Sequence, residues 1–389
     1  MVNNESDPKR PNIILILVDD MGFSDIGCYG SEIETPNLDK LADKGISFTS
    51  AYNCARCCPT RASLLTGLYP HQAGVGHMVS NHGIPAYQGY LRDDCVTIAE
   101  ALSLGGYQTL ISGKWHVGGI YPRNDASQWD TGDPQRPLPP DRGFDDWYGT
   151  PAGAGSYYNP KPLFRNYTLI EPESDKYYYT DAVSENAVKM VEKAAMDDKP
   201  FFLYMAHYAV HTPIEAKAER IAKYKARKSA GQNNPTYAAM IESMDDAVGQ
   251  IMSTLDELNL SDNTVVIFTS DNGGLSRVTN NAPLRAGKGY PYEGGIRVPV
   301  IIRWPGVIRA GTVSDESVTS VDYFPTICEL ADVRLPHGRT IDGVSLAEYL
   351  KSNGAKKPGR ESVFWHFPHY RDYGFKIVPY SIILSLIHI

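Results

Sequence analysis

What the chain lacks narrows its class. Six cysteines among 389 residues are too few for a disulfide scaffold and leave the redox compartment open. Basic residues are in deficit: 37 Lys and Arg against 45 Asp and Glu give a formal net charge of -8. That balance argues against the broad positive face that a nucleic acid or an anionic membrane surface would need, so neither partner is expected and any anion binding has to be local. The opening residues MVNNESDPKRP are polar, and the apolar run Ile13 to Val18 meets two aspartates after six residues, so neither a signal peptide nor a membrane span fits. As written the chain reads as cytoplasmic; removal of a leader would make it periplasmic or secreted. There is no repeat at a fixed period and no low-complexity tract.

What is present is an ordinary globular composition, 42% hydrophobic, enough to bury a large core and to hold one big domain with a smaller piece beside it. Ile13-Ile14-Leu15-Ile16-Leu17-Val18 is continuous rather than alternating, the pattern of a strand buried on both faces of a parallel sheet, and it runs into Asp19-Asp20. Thr35-Pro36 is expected to cap a short helix ending at Gly45, followed by a strand at Ile46. The same grammar recurs. Thr97 to Leu104 reads as a helix closed by Gly105-Gly106, Gln108 to Ser112 as a strand running into Gly113-Lys114-Trp115-His116, and Pro200 to Met205 as a strand leading to His207 and His211. Tyr237 to Leu258 carries Met240, Ile241, Met244, Val248, Ile251, Met252, Leu255 and Leu258 on one stripe, a core face. Asn263 to Phe268 is a strand delivering Asp271-Asn272, and Val298 to Trp304 is another.

This alternation predicts an α/β fold, a large mixed and mostly parallel sheet sandwiched by helices, with ligands gathered beyond the carboxyl ends of the strands. Residues 121–166, rich in Pro, Gly, Asp and Tyr, read as long loops and natural substrate walls. Pro336-His337-Gly338 marks a linker, after which the chain is too short for an independent domain.

Chemistry concentrates around Cys57, in the run Asn53-Cys54-Ala55-Arg56-Cys57-Cys58-Pro59-Thr60-Arg61. Pro59 suits the first position of a helix, which puts Cys57 and Cys58 at its positive, amide-donating end, with Arg61 four residues on, able to grip a tetrahedral oxyanion. On their own the cysteines could equally form a zinc knuckle, a disulfide or plain core thiols, although no second Cys/His pair lies at zinc-finger spacing. Asp19, Asp20, Asp271 and Asn272 are an all-oxygen set suited to a hard cation such as Ca²⁺ or Mg²⁺, while each pair alone reads as a solvated loop or an Asn-Gly turn. Lys114 and Lys288 alone could be surface ammoniums, and His116 and His211 satisfied loop histidines.

The run from Cys57 to Thr66-Gly67 resembles the signature of the sulfatase family, type I, arylsulfatase-like, within the alkaline-phosphatase-like superfamily. The resemblance covers residues 11 to about 375 and is strongest at residues 12–20, 57–67, 107–118, 200–213, 264–273 and 284–305. It implies that a maturation enzyme oxidises Cys57 to formylglycine, whose hydrate attacks sulfur. It also implies that Asp19, Asp20, Asp271, Asn272 and the modified Cys57 hold a divalent metal, Ca²⁺ or alternatively Mg²⁺. Arg61, Lys114, His116, His211 and Lys288 match positions that bind the sulfate oxygens, steady the diol and move protons. The implied reaction is hydrolysis of a small-molecule or carbohydrate sulfate monoester. A phosphodiesterase or phosphonate monoester hydrolase of the same superfamily is the first alternative, and an inactive truncated fragment the second. The expected organisation is a catalytic domain over residues 1–335 and, over 336–389, the start of a C-terminal subdomain ending in an interrupted tail, SIILSLIHI.

Overall fold

The structure, a computed structural model, describes residues 10–385 except 123–124, 126–128, 130, 229–230 and 370–379. The polar start (1–9) and the last four residues of the apolar ending (386–389) lie outside the described residues.

The continuous apolar runs become the centre of a ten-stranded sheet. Its strands are β1 (Asn12–Val18), β2 (Ile46–Phe48), β4 (Gln108–Gly113), β5 (Asp146–Gly149), β6 (Leu163–Arg165), β7 (Thr168–Ile170), β8 (Phe201–Ala206), β9 (Thr264–Ser270), β10 (Val300–Arg303) and β11 (Thr312–Ser314), in the order β11-β2-β10-β9-β1-β8-β4-β5-β6-β7. Two short parallel strands, β3 (Ala51–Tyr52) and β12 (Val318–Thr319), pair apart from it, as do the antiparallel β13 (Ser362–Phe367) and β14 (Tyr380–Ser385). From β9 through β1, β8 and β4 to β5 every pairing is parallel. The strand expected at Val298 is β10, which is antiparallel to both β9 and β2. The sheet is therefore mixed, as the alternation predicts.

Among the described residues the α-helices are α1 (Pro36–Asp43), α2 (Cys57–Thr66), α3 (Pro70–Ala73), α4 (Ile98–Leu104), α5 (Tyr179–Ala194), α6 (Ala218–Lys225), α7 (Pro235–Glu257), α8 (Glu293–Ile296), α9 (Tyr323–Leu330) and α10 (Ala347–Lys351), joined by short 3-10 turns. Alternate residues of β1 show why its sequence is apolar throughout. Ile13, Leu15 and Leu17 pack with residues of α2, α4, α9 and α10 on one face, while Ile14, Ile16 and Val18 pack with α1, α5 and α7 on the other. Each such fully buried side chain contributes on the order of 1.5–3 kcal/mol of transfer free energy. The stripe on α7 is core as expected, with Met252 and Leu258 at its margin. Among the described residues no helix is long and apolar enough to cross a membrane.

Two helix starts differ from expectation. Arg56 is extended (φ -147, ψ 150), so α2 begins at Cys57 and Pro59 is its third residue; the missing amide costs nothing there, because the first four helical amides have no intrahelical acceptor. Cys57 and Cys58 still occupy the amide-donating turn. At α1 the Thr35 hydroxyl is used elsewhere, accepting from Gly27 N at 2.7 Å and donating to Asp39. Its capping role passes to Asp245 of α7, which accepts from the amides of Asn37 at 3.1 Å and Leu38 at 2.8 Å.

Beyond the Pro336-His337-Gly338 stretch the chain returns to the main core: Leu346, Ala347, Tyr349 and Leu350 join the cluster that holds α2. Val363 and Trp365 of β13 pack with Tyr52, Ala55 and Ile296, and the Trp365 indole donates to the Asn53 carbonyl at 3.1 Å.

Because Asp245 satisfies two buried helix-start amides from a distant helix, Asp245→Ala should lower the unfolding free energy by about 1–3 kcal/mol. Thr35→Val should leave those amides paired and cost less. Denaturant unfolding midpoints of the two variants check this ordering.

Candidate functional site

The candidate site residues gather beyond the carboxyl ends of the central strands, from strand ends, the start of α2 and one loop. β1 delivers Asp19 and Asp20, β4 delivers Lys114 and His116, β8 leads to His211, and β9 delivers Asp271 and Asn272; α2 presents Cys57 and Arg61, and the loop before α8 brings Lys288. Cys57, Asp19 and Asp271 lie close enough for their ligand atoms to fall within 4.8 Å of one another, and the same holds for Asp19, Asp20 and His211.

Arg61 is fully buried at the centre. Its Nε and Nη2 donate to Asp271 Oδ2 at 3.1 and 2.9 Å, Nη2 also to Asp19 Oδ2 at 3.1 Å, and Nη1 to the Lys114 carbonyl at 3.1 Å. The guanidinium fork thus grips the two carboxylates and the β4 end. Lys114 Nζ pairs with Asp19 and donates to the Gly153 carbonyl at 2.7 Å. Lys288 Nζ reaches Asp20 at 2.6 Å, and Asn272 Nδ2 donates to Asp20 Oδ1 at 2.9 Å. His211 Nδ1 faces the Thr212 carbonyl at 2.6 Å; a carbonyl only accepts, so Nδ1 carries hydrogen and Nε2 is left facing Asp20 Oδ2 at 3.6 Å. His116 lies against Cys58, Nε2 to Sγ 3.2 Å.

Electrostatics follow from this packing. Burial alone would raise Asp19, but Lys114, then His211 and Arg61, bring it down to about 2. Asp271 is pushed well up by burial and by the neighbouring Asp19 charge. Cys57 is held well below the usual thiol range by a hydrogen bond from Cys58 and, despite burial, by Lys114 and His116; Cys58 moves the opposite way through burial and that same bond. Burial, then Lys114, lowers His116 to about 4, and burial, then Lys288, lowers His211.

The backbone is strained where chemistry gathers. Asp20 (φ 62) and His116 (φ 57) both sit in the left-handed region, uncommon for residues with a side chain. Gly153 is glycine because a Cβ there would stand 2.1 Å from His116 Nε2. The Asn272-Gly273 pair is no hairpin turn, since Gly273 N bonds the Gly295 carbonyl and a Cβ would collide with Gly294 at 1.8 Å.

A cavity of about 340 Å³ opens onto these groups, lined by Cys57, His116, His211 and Lys288 and walled by Tyr121 and Ala152 to Ala154 from the long loops. The remaining lining was not read from sequence: Arg56, Met78, Thr212, Leu275 and Arg277. Arg56 stands immediately ahead of the signature run, and burial decides its role. His71 turns instead to an apolar cavity beside α2, and His77 stacks on His369 with ring centroids 4.2 Å apart. His207 is buried with neither ring nitrogen paired. Tyr157, Tyr177, Tyr178 and Tyr179 are core residues.

Two side-chain oxygens at the centre are buried without a hydrogen-bond partner: Asp19 Oδ1 and Asn272 Oδ1. Acceptor atoms converging beside Asp20 and Asp271 with no donor to meet them are what a hard cation requires, so the donor set fits one.

Comparison with known proteins agrees. A family model described as Sulfatase matches residues 11–333, and one described as N-sulphoglucosamine sulphohydrolase, C-terminal, matches residues 287–382. A sulfatase of Formosa agariphila is 34% identical over 437 residues, spanning 96% of this chain and 78% of its own. Human arylsulfatase A is 35% identical over 396 residues, spanning 94% and 72%. The crystal structure of Ps i-CgsB in complex with k-i-k-neocarrahexaose superposes with a TM-score of 0.80 at 34% identity, covering 97% of this chain and 82% of that one. With residues 11–333 matched by the family model, and its sheet and most of its length matched by these relatives, the chain belongs to the sulfatase family.

Proposed function

We propose that this sulfatase cleaves a carbohydrate sulfate monoester to alcohol and inorganic sulfate, with Cys57, converted to formylglycine by a maturation enzyme, as its nucleophile. The observation that carries this reading is the placement of Cys57 in the first turn of α2, lining a cavity and beside Asp271 and Asp19, the latter with an unpaired carboxylate oxygen. The sugar assignment draws support from the saccharide bound to the similar Ps i-CgsB. A formylglycine at position 57 supplies an aldehyde hydrate that attacks sulfur and later releases sulfate by carbon–oxygen cleavage.

Asp19, Asp20, Asp271, Asn272 and the oxygen at position 57 would hold a divalent cation, Ca²⁺ or Mg²⁺, which supplies polarisation of a sulfate oxygen. Arg61, Lys114 and Lys288 offset the three carboxylates one for one, so the ion's charge is left over to receive an anionic ester. His211, anchored through Nδ1, lines the cavity and donates the Nε2 proton of its imidazolium form, the form that Asp20 and Asp19 favour, to the leaving oxygen. His116, against the Cys57–Cys58 turn and fixed by its strained backbone, accepts a proton at position 57. Lys114 and Lys288 stabilise charge that develops on the sulfate oxygens.

After co-expression with a maturation enzyme and confirmation of formylglycine by peptide mass, the enzyme should release sulfate from an aryl or sugar sulfate. Cys57→Ala should lower kcat/KM by at least about a thousand-fold, as loss of a covalent nucleophile does; equal rates would refute the assignment. Independently of turnover, Ca²⁺ at about a hundred times its Kd should stabilise the protein by about 2.7 kcal/mol. Thermal melts with and without chelator should show that gain in the unmutated protein and not in Asp271→Asn or Asp19→Asn.

A further inference from the structure

Arg56, the residue before Cys57, is 8% exposed and lines the reactive cavity together with Cys57, His116, His211 and Lys288. Its extended backbone precedes α2, and burial keeps its side chain from sweeping through solvent. Yet its charge is unanswered. Among the described residues it makes no ion pair, its one side-chain hydrogen bond is from Nη2 to the weak acceptor Met78 Sδ at 3.1 Å, and its Nε is buried without a partner. By contrast Arg61, Lys114 and Lys288 each end on a carboxylate. The titratable groups that feel Arg56 include Cys58, His77, Lys288 and His369, a thiol and three bases.

A guanidinium kept from water without a counter-charge is costly, and its planar fork is shaped for two oxygens of a carboxylate or sulfate. The central carboxylates Asp19, Asp20 and Asp271 are already paired with Arg61, Lys114 and Lys288, so an anion meeting Arg56 has to arrive with the ligand. We propose that Arg56 anchors a second anionic subsite, binding a further sulfate or a carboxylate on the saccharide beside the sulfate that is cleaved. The proposal rests on the sulfatase reading of the Cys57 cavity and names the substrate class of that site: multiply charged sulfated sugars.

The test uses formylglycine-bearing enzyme, unmutated, Arg56→Gln and Arg56→Lys, each with modification at position 57 verified by mass. Three saccharides carry the same scissile sulfate: one with no other charge, one with a second sulfate, one with a uronate carboxylate. The unmutated enzyme should favour at least one doubly charged sugar over the singly charged one by about ten-fold or more in kcat/KM. Arg56→Gln should shrink that preference by about ten- to a hundred-fold, chiefly through KM, and Arg56→Lys should restore part of it. The arm that responds, sulfate or uronate, identifies the anion. A preference that changes less than about two-fold, or an equal loss on all three sugars, overturns the subsite. Calorimetric binding of the same sugars to Cys57→Ala, with and without Arg56→Gln, keeps the two proposals separable. Should verified enzyme hydrolyse none of the sulfates, the reaction assignment fails, while tighter binding of a doubly charged sugar that disappears with Arg56→Gln still upholds the anchor, and equal binding overturns it.

Discussion

A guanidinium buried between two carboxylates sets the architecture of the site. Arg61 ties Asp271 at the end of β9 to Asp19 at the end of β1, and through the Lys114 carbonyl reaches the end of β4 as well. Removing one partner from a buried pair of this kind typically costs about 3–5 kcal/mol, because the remaining charge is stranded. Three strand ends and one helix start are therefore fixed relative to one another by a single side chain. The same arrangement holds two carboxylates together against their repulsion: burial, then the Asp19 charge, drives Asp271 up, while Asp19, richer in cationic neighbours, is driven down despite burial.

The parts of this design that could be read from sequence are those whose cause is local. A strand covered on both faces has no solvent side, so Ile13 to Val18 and the stretch through Phe268 declare themselves as unbroken apolar runs, and the acidic pairs that follow them mark where the strands stop. The cysteine turn is legible because helix polarity and the Arg61 spacing both belong to one short segment. What escaped depends on distant pairing. Asp245 relieves Thr35 of its capping role by accepting from Leu38, 207 residues away, and no local pattern announces that. The antiparallel direction of β10 is set by a long loop that returns under β9, and residues of either direction look alike once buried. Arg61 was expected to face the substrate, but its donors are spent on Asp19 and Asp271, a geometry that exists only once β1 and β9 are neighbours.

Rigidity at the site comes from crowding as much as from charge. Asp20 and His116 hold left-handed backbones that an isolated chain would avoid, and Gly153 and Gly273 are pressed against their neighbours with no room for a methyl group. Side chains placed in this way cannot swing away on their own. Their aim is a property of the surrounding packing, consistent with acid–base groups that must keep angle as well as distance.

The Asn53 carbonyl receives the Trp365 indole, while the Asn53 side chain donates to the Ser270 carbonyl at the end of β9. Asn53 lies four residues ahead of the reactive cysteine, so the loop entering α2 is braced from one side by a strand end and from the other by a hairpin contributed late in the chain. That brace touches none of the charged groups. A substitution in β13 can accordingly shift the loop that enters α2 while every ion pair of the centre keeps its partners.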